Sequence, residues 1–347
     1  MKSRMLAAFL LLAAGLTART PATPLSDAAS ALQPGQWAEL STVNLTTSLI
    51  FRDGYSIFDF SDEMLWDPVL REAHYIGAGH QVPKHHIVYS EALNAWTERP
   101  FPGALNPSHT YDHQALDAPG RRLFHWIREP ELRVHIYNLD TKTWDSGSSE
   151  IPNYPSITIA VEWFPELNRL FVSDPDSNNY LWNPATNQWS RFNGGLAGVG
   201  DYHNFARYSP IDKVVIFGGG ETGNCCSNGS SGLYRLNQNQ SITRLSNAPQ
   251  WMGITHASTI ADPASGKFLT VFSNGSFQEL DAMTDTWRVL PQAPAAIRSN
   301  AGMVTTAISN YGVTMWVSHG GGGGSPRVYL YKHAYMEIGR ASCRERV

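Results

Sequence analysis

Histidine and aspartate side chains recur where repeated units of this sequence begin. Asp112, His113, His203 and His256 each stand about seven residues ahead of a proline in the next turn. For the second unit the count falls on either Asp112 or His113, and in a strand one residue decides which face a side chain occupies. Because neutral histidine accepts or donates protons near neutral pH, these positions are candidates for acid–base chemistry or for polar ligand binding.

Tyrosine and arginine accompany these histidines. Tyr202 and Arg207 flank His203, and Arg298 and Asn300 open the last unit. Tyrosine can transfer a proton, and arginine can neutralise a carboxylate. The set predicts one of two activities, β-elimination on a uronate polysaccharide or recognition of a glycan or protein ligand, unless these groups only line a water-filled channel. The catalytic candidates are His113, His203, Tyr202 and Arg207; the binding candidates are Asp112, His113, His203, His256, Arg298 and Asn300.

A repeated phrase indicates which elements must hold these residues. The segment 137–144, Y-N-L-D-T-K-T-W, recurs at 89–96, 182–189 and 280–287, and each copy ends in tryptophan. The tryptophans are spaced by 48, 45 and 98 residues, and the last interval holds a copy at 233–242 with Ser241 or Ile242 in the tryptophan place. A period of this length is typical of propeller blades.

Short alternating runs between turn residues fill each repeat, which predicts four strands per unit and an all-β protein. Units cover 53–100, 103–151, 154–195, 200–249 and 251–295, and a sixth begins near Arg298. The sixth lacks its tryptophan strand, whereas residues 34–40, P-G-Q-W-A-E-L, form an orphan one. We therefore predict a six-bladed β-propeller whose last blade is closed by the N-terminal strand, which removes open sheet edges.

Paired glycines after the second strand, in F-G-G-G (217–220) and H-G-G-G-G-G (319–324), together with tyrosine before tryptophan, resemble kelch repeats. The resemblance covers most of residues 35–336 and implies a propeller like the central domain of galactose oxidase. Copper chemistry of that kind needs a cysteine cross-linked to a tyrosine, and the adjacent Cys225 and Cys226 depart from that pattern. We expect no cofactor and no metal site.

Cys225 and Cys226 are the only cysteines outside the last eleven residues. One adjacent pair cannot make a disulfide framework. In an oxidising compartment the pair is a candidate for a vicinal disulfide, and free or exchanging thiols are the alternative.

Both ends of the chain differ from the repeats. Lys2 and Arg4 precede an apolar run at 5–16, which predicts a secretory signal within residues 1–22, cleaved between Ala18 and Ala22; a retained anchor is the alternative. Residues 337–347, E-I-G-R-A-S-C-R-E-R-V, resemble the translation of a short-read sequencing adapter. The propeller is therefore expected within residues 23–336.

The charge balance limits the partners. The chain carries 26 Lys and Arg against 30 Asp and Glu, a net charge of −4, and has no basic cluster. Nucleic acid is therefore not an expected partner. No segment after the signal could span a membrane, and we expect a secreted or periplasmic monomer that binds a glycan or a protein.

Overall fold

Alternating apolar residues and frequent turn residues give this chain short antiparallel strands. The computed structural model describes residues 22–334 except 53, 80–82, 103–109, 128–131, 146, 154–157, 175–177, 195, 224–227, 299–301 and 321–323. The predicted signal and the adapter-like tail lie outside the described residues, apart from Ala22. The chain opens with α1 (Pro24–Ala31), β1 (Trp37–Glu39), α2 (Thr47–Ile50) and a small hairpin of β2 (Phe51–Arg52) and β3 (Tyr55–Ser56).

Six four-stranded antiparallel sheets, the blades, follow within the described residues. Blade one comprises β4 (Leu65–Asp67), β5 (Glu72–Gly77), β6 (His85–Ser90) and β7 (Ala95–Arg99). Blade two comprises β8 (Gln114–Asp117), β9 (Arg122–Ile127), β10 (Arg133–Asn138) and β11 (Thr143–Asp145). Blade three comprises β12 (Ala160–Phe164), β13 (Arg169–Asp174), β14 (Asn178–Asn183) and β15 (Gln188–Gly194). A short 3-10 turn at Pro165–Leu167 joins β12 to β13.

Blade four comprises β16 (Tyr202–Ser209), β17 (Val214–Glu221), β18 (Leu233–Leu236) and β19 (Ile242–Arg244). Blade five comprises β20 (Ala257–Ala261), β21 (Phe268–Phe272), β22 (Phe277–Asp281) and β23 (Thr286–Val289). Blade six comprises β24 (Met303–Ile308), β25 (Val313–Ser318), β26 (Arg327–Tyr331) and the N-terminal β1. Trp37 of β1 pairs with Tyr331 of β26. The six-bladed propeller and its closure by the N-terminal strand are confirmed.

The repeated phrase forms the turn between the third and fourth strands. In each copy, the residue two places before the tryptophan has a left-handed backbone. Ile242 takes the tryptophan position in blade four, and the residue two places before it has the same conformation. The five residues are Asn94, Lys142, Asn187, Gln240 and Asp285. A tight turn needs such a residue where a strand reverses. The tryptophans then reach neighbouring sheets; Trp189, for example, donates its ring N–H to the Ser149 carbonyl at 2.9 Å.

In the described part of the chain, six buried apolar clusters lie between successive blades, so the core is a ring rather than a single centre. The cluster of blades six and one also holds Leu25 and Ala29 of α1, and the cluster of blades five and six packs against Trp37. The first strands of the blades surround the channel and run parallel to one another, as the bridges Asp112–Ala160 and Glu63–Thr305 show. Among the described residues, no helix is long and apolar enough to cross a membrane.

Because the first strands run parallel, the segments that lead into them meet at one end of the channel. We call this end the mouth; its segments include 57–64, 110–113, 199–203 and 252–256. The loops between second and third strands lie at the same end, since each second strand runs antiparallel to its first.

Candidate functional site

Arg207 lies in the middle of the channel and contacts several blades. Its guanidinium donates to Asp112 of blade two and to Asp62 of blade one, both at 2.6 Å. Its Nε donates to the Thr259 carbonyl of blade five at 2.8 Å, and Glu63 lies 3.4 Å away. The side chain is 1% exposed. Arg207 is thus a buried cation that links the inner strands of several blades.

Arg207 is surrounded by more carboxyl groups than its single positive charge can neutralise. Glu162 of blade three accepts hydrogen bonds at 2.8 Å from the backbone N–H groups of Trp163 and Tyr208. Burial raises the pKa of Glu162 to about 8 and that of Asp112 to about 7, although Arg207 lowers both. Burial also raises the pKa of Glu63 well above its usual value. Retained protons therefore help to balance the channel at neutral pH.

A second polar group lies at the mouth, around Glu221 at the end of β17. This buried carboxylate stands between two imidazoles: His203 Nδ1 is 3.1 Å from Oε2, and His256 Nε2 is 3.2 Å from Oε1. Thr255 donates its hydroxyl to the same carboxylate. Both contacts to histidine are at ion-pair distance, but their angles do not suit hydrogen bonds, and both nitrogens of His203 are buried without a hydrogen bond in the described structure.

His203 is held by backbone conformations that side-chain-bearing residues seldom adopt. Phe60, Tyr111 and His203 have φ angles of 60°, 26° and 56°. The Phe60 ring stacks on His203 with centroids 5.5 Å apart, and Tyr111 lies 5.1 Å away. Strained backbone of this kind is enriched at functional sites. Here two strained residues from other blades pack against a third, His203, which lies next to Glu221.

His256 links Glu221 to the surface. Its side chain is 16% exposed and lines a pocket of about 430 Å³ between blades four and five, together with Ser231, Gln250 and Ser273. Trp251 forms one wall; it is 49% exposed, and its ring meets His256 edge-on at 5.2 Å. The pocket combines an aromatic surface with hydroxyl, amide and imidazole groups, a composition suited to a polar ligand with an apolar face.

The structure separates the predicted site residues into different environments. Asp112 and Arg207 are buried together in the channel, whereas His203 and His256 flank Glu221 at the mouth. His113 is buried in its own blade, with its ring 4.7 Å from Trp126.

Tyr202 and Arg298 complete the predicted set within the described residues. Tyr202 is half-buried beside His203, and Arg298 is exposed. Asn300, Cys225 and Cys226 lie outside the described residues.

The placement of Arg207 bears on the predicted lyase chemistry. Four of its five N–H groups donate to Asp112, Asp62 and two backbone carbonyls. A substrate carboxylate would have to displace these partners inside a closed channel. We therefore assign Arg207 to the architecture of the channel rather than to a ligand.

Sequence reasoning did not select Glu221, Trp251 or three of the four carboxyl groups around Arg207, of which it named only Asp112. Glu221 directly follows the glycine run 218–220, and Trp251 is a tryptophan outside the repeated phrase. Those departures from the repeat were the available signals. Asp62, Glu63 and Glu162 had none, because their meeting depends on the closure of the ring.

The ligand donors at the mouth do not form a metal site in the described ranges. No group of three or more His, Cys, Asp and Glu side chains there is arranged to hold a metal ion. What the mouth offers is hydrogen bonding, the imidazole of His256 and an aromatic surface.

Solved structures share this fold. A fungal alcohol oxidase of the AA5 family, in complex with copper, has a TM-score of 0.51 at 10% identity, covering 86% of this chain and 76% of that chain. A structural genomics protein of unknown function from Bacteroides thetaiotaomicron VPI-5482 has a TM-score of 0.54 at 13% identity, covering 87% and 73%. At these identities the likeness concerns the fold alone, and the copper belongs to the oxidase.

No family model matches the chain, and no curated protein matches it. The kelch resemblance of the repeats therefore has no support beyond the propeller fold itself.

Proposed function

We propose that this propeller is a glycan-binding protein whose site is the pocket between blades four and five at the mouth. The observation that carries the proposal is Trp251, a large aromatic side chain left 49% exposed beside a pocket of about 430 Å³. The C–H face of a pyranose ring is apolar, so it packs well on such a surface while its hydroxyls need polar partners.

Polar partners are available around the ring. Gln250 donates through its amide to Ser276 at 2.6 Å, which fixes the side chain that lines the pocket. Ser231 and Ser273 add hydroxyls, and His256 adds a ring nitrogen on the side away from Glu221. A pocket of this volume suits one or two sugar units.

A protein ligand is the second class of partner that the sequence predicts. The described mouth presents Trp251 as an isolated apolar side chain rather than a broad apolar patch, which favours the glycan. The predicted signal sequence supports secretion, and glycans are available as ligands outside the cell. We also infer that the blades are divergent kelch-like repeats, because they share glycine pairs and a constant period.

The lyase alternative keeps its histidines, but Arg207, its predicted partner for the substrate carboxylate, is bound to acidic residues. We do not adopt it. Shortening of polysaccharide chains on incubation with the protein would favour it over binding alone.

Affinity electrophoresis against neutral and acidic polysaccharides tests the proposal. We expect retardation by at least one polymer, and Trp251→Ala to weaken it about tenfold or more, as the loss of a central aromatic anchor does. Met283→Ala is the matched control, because Met283 is 50% exposed in a turn at the opposite end of the channel. Retardation that Trp251→Ala leaves unchanged would reject the pocket.

A further inference from the structure

A cation lies beside one of the turns that contribute to the pocket wall. Arg298 is exposed, and it lies against the turn 273–276: a Cβ placed on Gly275 would be 3.6 Å from its Nε. Ser273 in this turn lines the pocket and donates its backbone N–H to the His256 carbonyl at 2.8 Å. The same turn therefore adjoins both Arg298 and the backbone of His256.

Arg298 is not engaged by the rest of the described structure. Arg207, Arg121 and Arg288 each bind carboxylates. Arg298, in contrast, has no ion pair, hydrogen bond or ring contact with any described residue. Its planar fork of N–H donors is free to bind a carboxylate through two parallel hydrogen bonds.

Two acidic groups on the same side of the propeller have other partners. Glu221 is buried beneath the pocket and is occupied by His203, His256 and Thr255. Asp201, at the mouth of blade four, accepts from the Gly223 N–H at 3.3 Å. An anionic ligand in the pocket would therefore have the guanidinium of Arg298, beside the 273–276 turn, as a counter-charge, because the Glu221 carboxylate is already shared by two imidazoles.

We propose that the pocket binds an acidic glycan, a chain that contains uronate units. The sugar ring packs on Trp251, its carboxylate pairs with Arg298, and its hydroxyls bond to His256 and Gln250. This inference rests on the proposed glycan-binding function and specifies the ligand class of the same pocket.

Pairs of ligands that differ only in charge test it. Oligogalacturonate, oligomannuronate and oligoglucuronate are each compared with their methyl esters by titration calorimetry, because the ester keeps the ring and removes the negative charge. We expect at least one acid to bind about tenfold or more tightly than its ester, as a charge-assisted bidentate pair would give.

Variants separate the carboxylate contact from general electrostatics. Arg298→Met should abolish the preference for the acid and leave ester binding unchanged. Lys213→Met, which removes an equal charge from a lysine 55% exposed near the opposite end, should preserve the preference.

The failures are distinguishable. Equal binding of acid and ester, or a preference that survives Arg298→Met, overturns the acidic specificity while Trp251-dependent binding keeps the glycan function. Absence of binding to every acidic and neutral oligosaccharide overturns both.

Discussion

Arg207 is a single residue on which the inner ring depends. It is the cation among four buried carboxyl groups, Asp62, Glu63, Asp112 and Glu162. Burial opposes its charge, but Asp112 and Asp62 outweigh that effect and raise its pKa well above the usual value. Removing one member of such a group leaves uncompensated buried charge, which costs more than the pair contributes.

We therefore predict that Arg207→Met lowers the free energy of unfolding by about 3–5 kcal/mol, or prevents folding. Urea denaturation followed by fluorescence measures the loss. Arg327→Met is the control, because Arg327 is 53% exposed and its removal should leave the midpoint nearly unchanged. Equal stability of the two variants would show that Arg207 and its surrounding carboxyl groups do not stabilise the fold.

His74 makes stability depend on pH. Its Nδ1 lies 3.1 Å from His86 Nε2 in a fully buried pair. Burial, with repulsion from Arg99, lowers the pKa of His74 to about 3, against about 6.5 in the unfolded chain. A lowered histidine pKa contributes stability that is present above the unfolded value and is lost as the pH falls toward the folded value.

Acidification from pH 7 to pH 5 should thus cost the wild type about 2 kcal/mol more than His74→Gln, which cannot titrate. Urea denaturation at the two pH values gives this difference directly, and other titrating groups cancel because both proteins contain them. A pH response that is the same in both proteins would mean that His74 is not held neutral by burial.

Among the elements, β1 closes the ring although it is only three residues long. Trp37 packs against Tyr331, Phe277 and Trp316, with ring centroids 4.7, 5.2 and 5.7 Å away. The strand also pairs with β26, which would otherwise be a free sheet edge. The N-terminal segment therefore joins blades five and six.

Trp37→Ala should destabilise the protein by about 3 kcal/mol or more, since a large aromatic contact is lost and a void remains. Trp251→Ala, by contrast, removes a half-exposed tryptophan and should change the unfolding midpoint little. Thermal denaturation of the two variants side by side checks this. A small effect at Trp37 would indicate that closure does not depend on this contact.

At the scale of the whole molecule, the sequence predicted what is local and repeated. The period of the tryptophan phrase predicted the blades, and the orphan strand at Trp37 predicted the closure. Both depend on alternation and turn residues that can be recognised within one repeat.

The site could not be predicted in the same way. Asp112 and His113 are neighbours in sequence, yet Asp112 points into the channel and His113 into its blade. Arg207 meets Asp62 across 145 positions, and no repeat pattern encodes that distance. Contacts between blades are set by the packing of the ring, so Glu221 and Trp251 emerged only from the structure.

The most direct test of the glycan-binding account is a crystal structure of the protein with a bound oligosaccharide chosen from the electrophoresis panel. The account predicts a sugar ring packed on Trp251 between blades four and five, within hydrogen-bonding distance of His256 or Gln250. A ligand seated elsewhere on the propeller, with the Trp251 pocket free of sugar, would contradict it.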